Sequence, residues 1–229
     1  MPNSKKQANP PASSPPPAPH RRALRSPLAV IVFATVVLVS LAGDLLTKHY
    51  VFQTLLDDPQ LPWRIEQIRH ASPKTTGRLD GREMLHMLDL HRQICPGVKF
   101  TLSANPGAVF GTVMHESQTV HRLIVGLATA ATTVLVLYFF GTSGRRAWGL
   151  HVSMAFILAG ALGNLYDRLF SSISLPGVAP IRHNVRDFID CSEIGYPWVF
   201  NVADMLLVVG VGVLVLRWII SGLKHKAGN

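Results

Sequence analysis

The sequence predicts an all-α membrane protein of four transmembrane helices with a small surface element on the outer side of the membrane. Hydrophobic residues make up 48% of the 229-residue chain and charged residues only 15%, with a mean hydropathy of +0.27, which sets it apart from an ordinary soluble domain. The apolar residues are gathered into four blocks, at 28–43, 119–140, 148–166 and 198–220, each close to the ~20 residues that a helix needs to cross a ~30 Å hydrocarbon core. No alternating barrel pattern of ~10-residue segments is present, and in lipid only helices or closed barrels satisfy every backbone polar group.

Taken in order, residues 1–26 are rich in Pro, Ser and Ala and begin MPNSKKQANPPASSPPPAPH. They hold too little apolar surface to offset the entropy of ordering and are expected to form a disordered cytoplasmic tail. A four-helix membrane domain follows over 27–222, with spans at about 28–50, 119–140, 148–167 and 198–220. The first block, with its basic leader and the small residues Ser40 to Gly43, also fits a cleavable secretory signal. Asp44, Thr47 and Lys48 come directly after it and match polar residues at other helix ends, which favours a retained span with a functional rim. The long connection that includes 54–100 has a helix-favouring stretch from Arg82 to His91 between Pro and Gly breaks. Asn105-Pro106-Gly107 reads as a tight turn, with Pro fixing its own φ and Gly free to take a positive one. No internal repeat is visible at a fixed period.

The net charge of +9 raises the possibility of a nucleic-acid partner, but its distribution argues against one. Lys5, Lys6, Arg21, Arg22 and Arg25 precede the first span, Arg145 and Arg146 join the second to the third, and Lys224 and Lys226 follow the fourth. With four spans all of these lie on one side, the cytoplasm by the positive-inside rule, so both termini are cytoplasmic and the long connection is outside. Cys95 and Cys191 then share the outer side, where a disulfide is possible but two unrelated thiols are as plausible.

Ionisable groups at the rim of a span are expensive unless paired, which makes them functional candidates. Asp44 and Lys48 are four apart on one helical face; an ion pair that merely marks a helix end explains them equally well. Gly160, Gly163, Asn164, Asp167 and Arg168 share one stripe of the third span. Close packing accounts for the glycines but not for three polar side chains. Asn201 and Asp204 open the fourth span, and Asp187 and Asp190 lie just upstream. An even number of spans brings Asp44, Asp167, Asp187 and Asp204 to the same membrane face.

Two carboxylates in a poorly hydrated site share a proton and act together as acid and base. One activates water against a peptide carbonyl while the other stabilises the oxyanion and assists the leaving amine. A zinc protease needs two His one turn apart, whereas His121 follows His115-Glu116 by six residues. A serine protease is suggested by Gly141-Thr142-Ser143-Gly144, similar to the rhomboid Gly-x-Ser-Gly, with His151 nearby; the stretch also reads as a turn on the cytoplasmic side. A small transporter or proton relay is the other alternative, but it needs polar groups through the bilayer, and the span interiors carry no acid. No metal or organic cofactor is implied.

The ordered set DLLTK (44–48), NPGAVFG (105–111), GALGNLYDR (160–168), VRDFID (185–190) and FNVAD (200–204) resembles the lipoprotein signal peptidase (signal peptidase II) family across all four spans. The resemblance implies a bacterial inner-membrane aspartic endopeptidase at the extracytoplasmic face; a monomer is expected, though the sequence itself does not fix the oligomeric state. Its substrates would be diacylglyceryl-modified prolipoproteins, cut before the lipidated cysteine, with membrane lipids as further partners and nucleic acid as none. By motif position Asp187 and Asp204 match the catalytic pair. Asp44, Lys48, Asn105, Gly107, Asn164, Asp167, Arg168 and Asn201 match positions that support the site or hold substrate, and Asp190 matches a less critical acid. Family members also carry a short outer β-sheet. Relative to the family pattern, the 169–184 connection and the segment before Asn105 are enlarged, the Pro-rich tail is extra, and Pro106 and Val109 are substitutions.

Overall fold

A computed structural model describes residues 22–71, 80–107 and 118–227; residues 1–21 of the tail expected over 1–26 and the Ala108–Gly111 part of the NPGAVFG motif lie outside them, while 22–26 are ordered, with Ala23 buried and Ser26 capping the first helix. A 3-10 turn, Ala23–Arg25, leads into α1 (Pro27–Leu56). Ser26 caps that helix by accepting the Ala29 N–H, and Pro27 occupies its first turn, where its missing N–H is no loss. At 1.5 Å per residue its 30 residues extend about 45 Å, so the outer turns stand above a ~30 Å core. Asp44 and Lys48 come about 26 and 32 Å along it, near the far end of a ~30 Å span.

The outer connection folds as α2 (Leu61–Ala71), α3 (Gly81–Leu88), β1 (His91–Cys95) and β2 (Val98–Asn105). Then come α4 (Gln118–Thr142), α5 (Trp148–Phe170), β3 (Ser172–Ile173), β4 (Ile181–Arg182), β5 (Val185–Cys191), β6 (Tyr196–Phe200) and α6 (Val202–Ala227). Four helices are long and apolar enough to cross a membrane, over Pro27–Leu56, Leu123–Thr142, Trp148–Phe170 and Val202–Leu223. More than half of the α5 span is buried, against under a quarter of each of the others, so α5 is the hub on which α1, α4 and α6 pack. The others present apolar side chains outward, with Leu127 at 70%, Val208 at 73% and Trp218 at 78% exposure, an apolar belt of the extent that marks a membrane-facing or partner-facing surface.

The outer layer is a four-stranded antiparallel sheet in the order β1-β2-β5-β6. Under and beside it Leu61, Ile65, Met84, Leu85 and Leu88 of α2 and α3 share one core with Ile173, Leu175 and Ile181 of the 169–184 insert, Phe52 of α1 and Phe188 of β5. The two enlarged connections therefore cover each other's apolar faces. Gly81 allows this closeness, since a Cβ there would meet Ile181 Cγ1 at 2.7 Å. The insert is pinched at its base by the β3–β4 pair and by Ser171 Oγ donating to the Asn184 carbonyl at 2.6 Å. Its length is thereby absorbed before β5 begins.

The fourth apolar block starts at Trp198, but the helix starts at Val202. Tyr196, Trp198, Val199 and Phe200 are strand-favouring residues, and β6 uses them to pair with β5. Cys95 and Cys191 are free thiols. The register Cys95↔Val98 on one side of β2 and Lys99↔Asp190 on the other puts them two strands apart, about 10 Å and beyond the Cα separation a disulfide spans.

Candidate active site

The site is built on the buried faces of α1 and α5 and on the first turn of α6. Asp44, Lys48 and Asp167 are each 0% exposed, so their charges must answer one another. Lys48 Nζ lies 2.8 Å from Asp44 Oδ2 and 3.3 Å from Asp167 Oδ2, and also donates to Asn164 Oδ1 at 3.1 Å. Asp44 Oδ1 accepts the Ala203 backbone N–H at 2.8 Å, fastening α1 to the start of α6. Gly163 makes the approach possible, because a Cβ there would collide with the Asp44 carboxylate. Gly160 does the same for α6, where a Cβ would run into the Ala203 carbonyl and Leu207.

Asn201 and Asp204 form a reciprocal cap on α6. Asn201 Oδ1 accepts the Asp204 N–H at 3.1 Å while Asp204 Oδ2 accepts the Asn201 N–H at 3.2 Å. Asp204 is thus the third residue of the helix, facing its positive end. Its other oxygen accepts from Asn164 Nδ2 at 2.8 Å. Asn201 Nδ2 donates to Asp187 Oδ1 at 2.5 Å and to Asn164 Oδ1 at 3.1 Å. Asp187 and Asp204 are therefore linked through two amides that fix the positions of both. A third amide completes Asp187: Asn105 Nδ2 donates to its Oδ2 at 2.9 Å, while Asn105 Oδ1 accepts the Gly107 N–H at 2.8 Å. Gly107 has φ +91°, the positive value expected for that turn. The antiparallel register that sets Ser103 opposite Asp187 and Asn105 opposite Val185 brings these two segments together.

Asp187 is 1% exposed. Burial pushes its carboxyl up to about 7, with the Asp204 charge adding to the rise and the Asn105 and Asn201 amides and Lys48 opposing it. Asp190 differs. It sits three residues along the strand, on the opposite face, 3.5 Å from Lys99. Although burial alone would raise it, hydrogen bonds from Ser192 and the Lys99 ammonium hold its carboxyl below the usual range.

Apart from Asp190, the acids and supporting residues matched to the family pattern thus fall in one cluster, and Arg186 joins it. Arg186 donates to Asp167 from its backbone N at 3.0 Å, from Nε at 3.0 Å and from Nη2 at 2.7 Å. It lies within the VRDFID motif, and the signal that marks it is chemical: a buried Asp167 facing Lys48 and a second carboxylate needs one more cation. Arg168 donates from Nη1 to the Asn164 carbonyl at 3.2 Å, its buried Nε has no partner, and Asp187, Asp204 and Asp167 supply the negative charge around it. Four carboxylates, Asp44, Asp167, Asp187 and Asp204, meet three cations, Lys48, Arg168 and Arg186, so a single proton on the carboxylate pair leaves the cluster neutral. Arg186 also stands in the wall of an open cavity of about 970 Å³ between the outer end of α1 and β3, lined in part by Leu46, Tyr50 and Phe52.

Ser143 and His151 do meet, with Oγ and Nε2 2.8 Å apart, but at the other end of the bundle. Ser143 Oγ donates to the Phe140 carbonyl at 2.7 Å, which leaves it to accept from His151, the reverse of what a nucleophile requires. His115 and Glu116 lie outside the described residues, and among the described residues no group of three or more His, Cys, Asp or Glu is placed to hold a metal.

A family model described as signal peptidase (SPase) II matches residues 36–220. The lipoprotein signal peptidase of Teredinibacter turnerae is 32% identical over 133 residues, which is 57% of this chain and 72% of that protein. That of Aquifex aeolicus is 34% identical over 130 residues, 56% of this chain and 70% of that one. A bacterial membrane enzyme solved by the in meso method aligns with a TM-score of 0.54 at 21% identity, covering 87% of this chain and 92% of its own, a likeness of fold. With four apolar helices, a small outer sheet and a match over most of its length, the chain belongs to the signal peptidase II family, the membrane-embedded aspartic endopeptidases.

Proposed function

We propose that Asp187 and Asp204 are the catalytic pair and that the substrates are diacylglyceryl-modified prolipoproteins, cut on the amino side of the lipidated cysteine. The observation that carries this reading is the amide-bridged pair, with Asp187 raised to about 7. The pair shares one proton, which burial of Asp187 favours on that residue, and Asp204 at the start of α6 accepts the proton of the attacking water. The water oxygen adds to the peptide carbonyl, and Asp187 donates to the developing oxyanion. Collapse of the tetrahedral species expels the amine of the cysteine, protonated by the Asp204 carboxyl, and the dyad returns to one shared proton. Asn201 and Asn164 hold the two carboxylates in place, Asn105 steadies Asp187, and Lys48, Asp44, Asp167 and Arg186 fix α1, α5 and β5 around them. Arg168, with an unspent donor, faces the reacting groups.

Orientation is part of the proposal: the end bearing Asp44 and Asp204 faces outward and both termini are cytoplasmic, as the distribution of Lys and Arg favours. A lipid-anchored substrate then presents its scissile bond at the depth of the pair, while burial of its acyl chains supplies about 0.8 kcal/mol per CH₂. The protein is proposed to act as a monomer, since α1, α5, α6 and the strands β2 and β5 of one chain supply every group named.

The test is a gel-shift assay of a tagged, diacylglyceryl-modified prolipoprotein in membranes holding the wild type, Asp187→Asn, Asp204→Asn or Ser143→Ala at matched expression. Cleavage before the lipidated cysteine should be lost in both Asp variants and kept in Ser143→Ala. Cleavage that survives either Asp change removes that residue from the mechanism.

A further inference from the structure

All 13 acidic residues lie between Asp44 and Asp204 in the chain, and every described one sits at the outer end or in the layer above it. The opposite end carries Arg22, Arg25, Arg145, Arg146 and Arg217 with no acid to answer them, and among the described residues none of the five is in an ion pair. Part of this charge is built into a fixed strap. The Ala23 N–H donates to the Ser143 carbonyl at 2.9 Å, Arg22 bridges Gly144, and Ala23 is fully buried. Leu24 lies over Gly141, where a Cβ would come within 2.6 Å of its Cδ1. Between strap and α4 remains a cavity of about 240 Å³ walled by Arg22, Arg25, Leu24, Leu137, Tyr138 and Thr142. The cavity is lined chiefly by apolar surface, and the exposed Arg22 and Arg25 border it, so an apolar slot lies beside two cations at this end of the bundle.

We propose that this pocket binds an anionic phospholipid, its phosphate held between Arg22 and Arg25 and an acyl chain laid along Leu24, Leu137 and Tyr138. Arginine suits the role because its planar fork takes two phosphate oxygens at once, and a basic cluster beside a span draws anionic lipid of the inner leaflet. A lipid seated there clamps the Ala23–Arg25 strap to the α4–α5 turn, and so stabilises the end of the bundle away from the carboxylates. The assignment of leaflet rests on the orientation proposed above, whereas binding itself does not.

The experiment uses the full chain in detergent micelles, without substrate, so a failure of the peptidase reading would leave it untouched. Thermal unfolding is followed while dioleoylphosphatidylglycerol is added, with dioleoylphosphatidylethanolamine, glycerol 3-phosphate and a short RNA as comparators. Phosphatidylglycerol should raise the midpoint at concentrations where the other three do not. Arg22→Gln/Arg25→Gln should raise the half-saturating concentration about tenfold, while Arg145→Gln/Arg146→Gln, which removes the same charge from the same end, should raise it no more than about twofold. Should the first double variant fail to fold, Arg22→Lys/Arg25→Lys keeps the charge and loses the fork, and is expected to weaken binding about threefold. The proposal is overturned if the two Gln pairs weaken binding equally, if the Lys pair binds as the wild type does, or if phosphatidylethanolamine, glycerol phosphate or RNA stabilises as well as phosphatidylglycerol.

Discussion

Replacing Lys48 with Met tests the charge balance of the site directly. Met fills nearly the same volume without the ammonium, so the change leaves Asp44 and Asp167, both fully buried, facing each other without the cation that lies 2.8 and 3.3 Å from them. Removing one partner of a buried ion pair is worth about 3–5 kcal/mol. Asp167 retains its three hydrogen bonds from Arg186, while Asp44 keeps only the Ala203 N–H, so the loss falls mainly on Asp44 and about 4 kcal/mol is expected, near a thousandfold in the folding equilibrium. Adding Asp44→Asn should recover about half of it, because the amide oxygen still accepts from Ala203 and no uncompensated charge remains beside Gly163. The measurement is reversible unfolding by SDS in mixed micelles, followed by far-UV circular dichroism, on the wild type, the single variant and the double. A Lys48→Met protein within about 1 kcal/mol of wild type, or a double variant less stable than the single one, would refute the reasoning.

Asn105→Ala removes a hydrogen bond that favours ionised Asp187. The carboxyl should rise further, so the loss of cleavage on raising the pH through about 7 should shift to higher pH in a pH–rate profile. Stability follows the same sign: a raised carboxyl binds protons that the unfolded chain releases, so Asp187 destabilises the fold increasingly from about pH 4 to about pH 7. Gly163→Ala places a methyl against Asp44 and should cost about 1–3 kcal/mol in the same SDS titration by forcing α1 from α5. Gly107→Ala strains a residue at φ +91° and should reduce cleavage more than it reduces stability, because the Asn105 turn would relax before the bundle does. Oxidation should not cross-link Cys95 to Cys191, and identical mobility on reducing and non-reducing gels is the expected result.

Much of the site was legible because membrane energetics concentrate meaning. A polar residue among apolar ones must be paired or functional, so Asn164, Asp167 and Asp44 stood out against their surroundings. Helical periodicity then set them on shared faces. The sheet was visible only through the family likeness, because β2 and β5 are separated by two whole spans and the insert after them, and strand pairing across that interval leaves no local pattern. β6 was hidden for a related reason: Trp198, Val199 and Phe200 are as apolar as the helix they precede, and only the cap at Asn201 separates strand from helix. Arg186 lay in a quoted motif, but its role depends on a register that places its backbone and side chain on Asp167. Ser143 and His151 show the converse, since residues that suggest a dyad by type lie together and serve to close a turn.

The reciprocal cap that starts α6 has a consequence for how the enzyme comes into being during synthesis. The same two residues that cap the N–H groups of that helix also hold one carboxylate of the proposed pair and steady the other, and the Ala203 N–H is what Asp44, 159 residues earlier, is bound to. A nascent chain with its first three spans inserted therefore lacks Asp204, and its remaining carboxylates are matched one for one by Lys48, Arg168 and Arg186, so it holds no excess negative charge for a shared proton to answer. Arrival of α6 brings the fourth carboxylate and the Ala203 N–H together, so the proposed acid pair is completed by the same segment that completes the bundle.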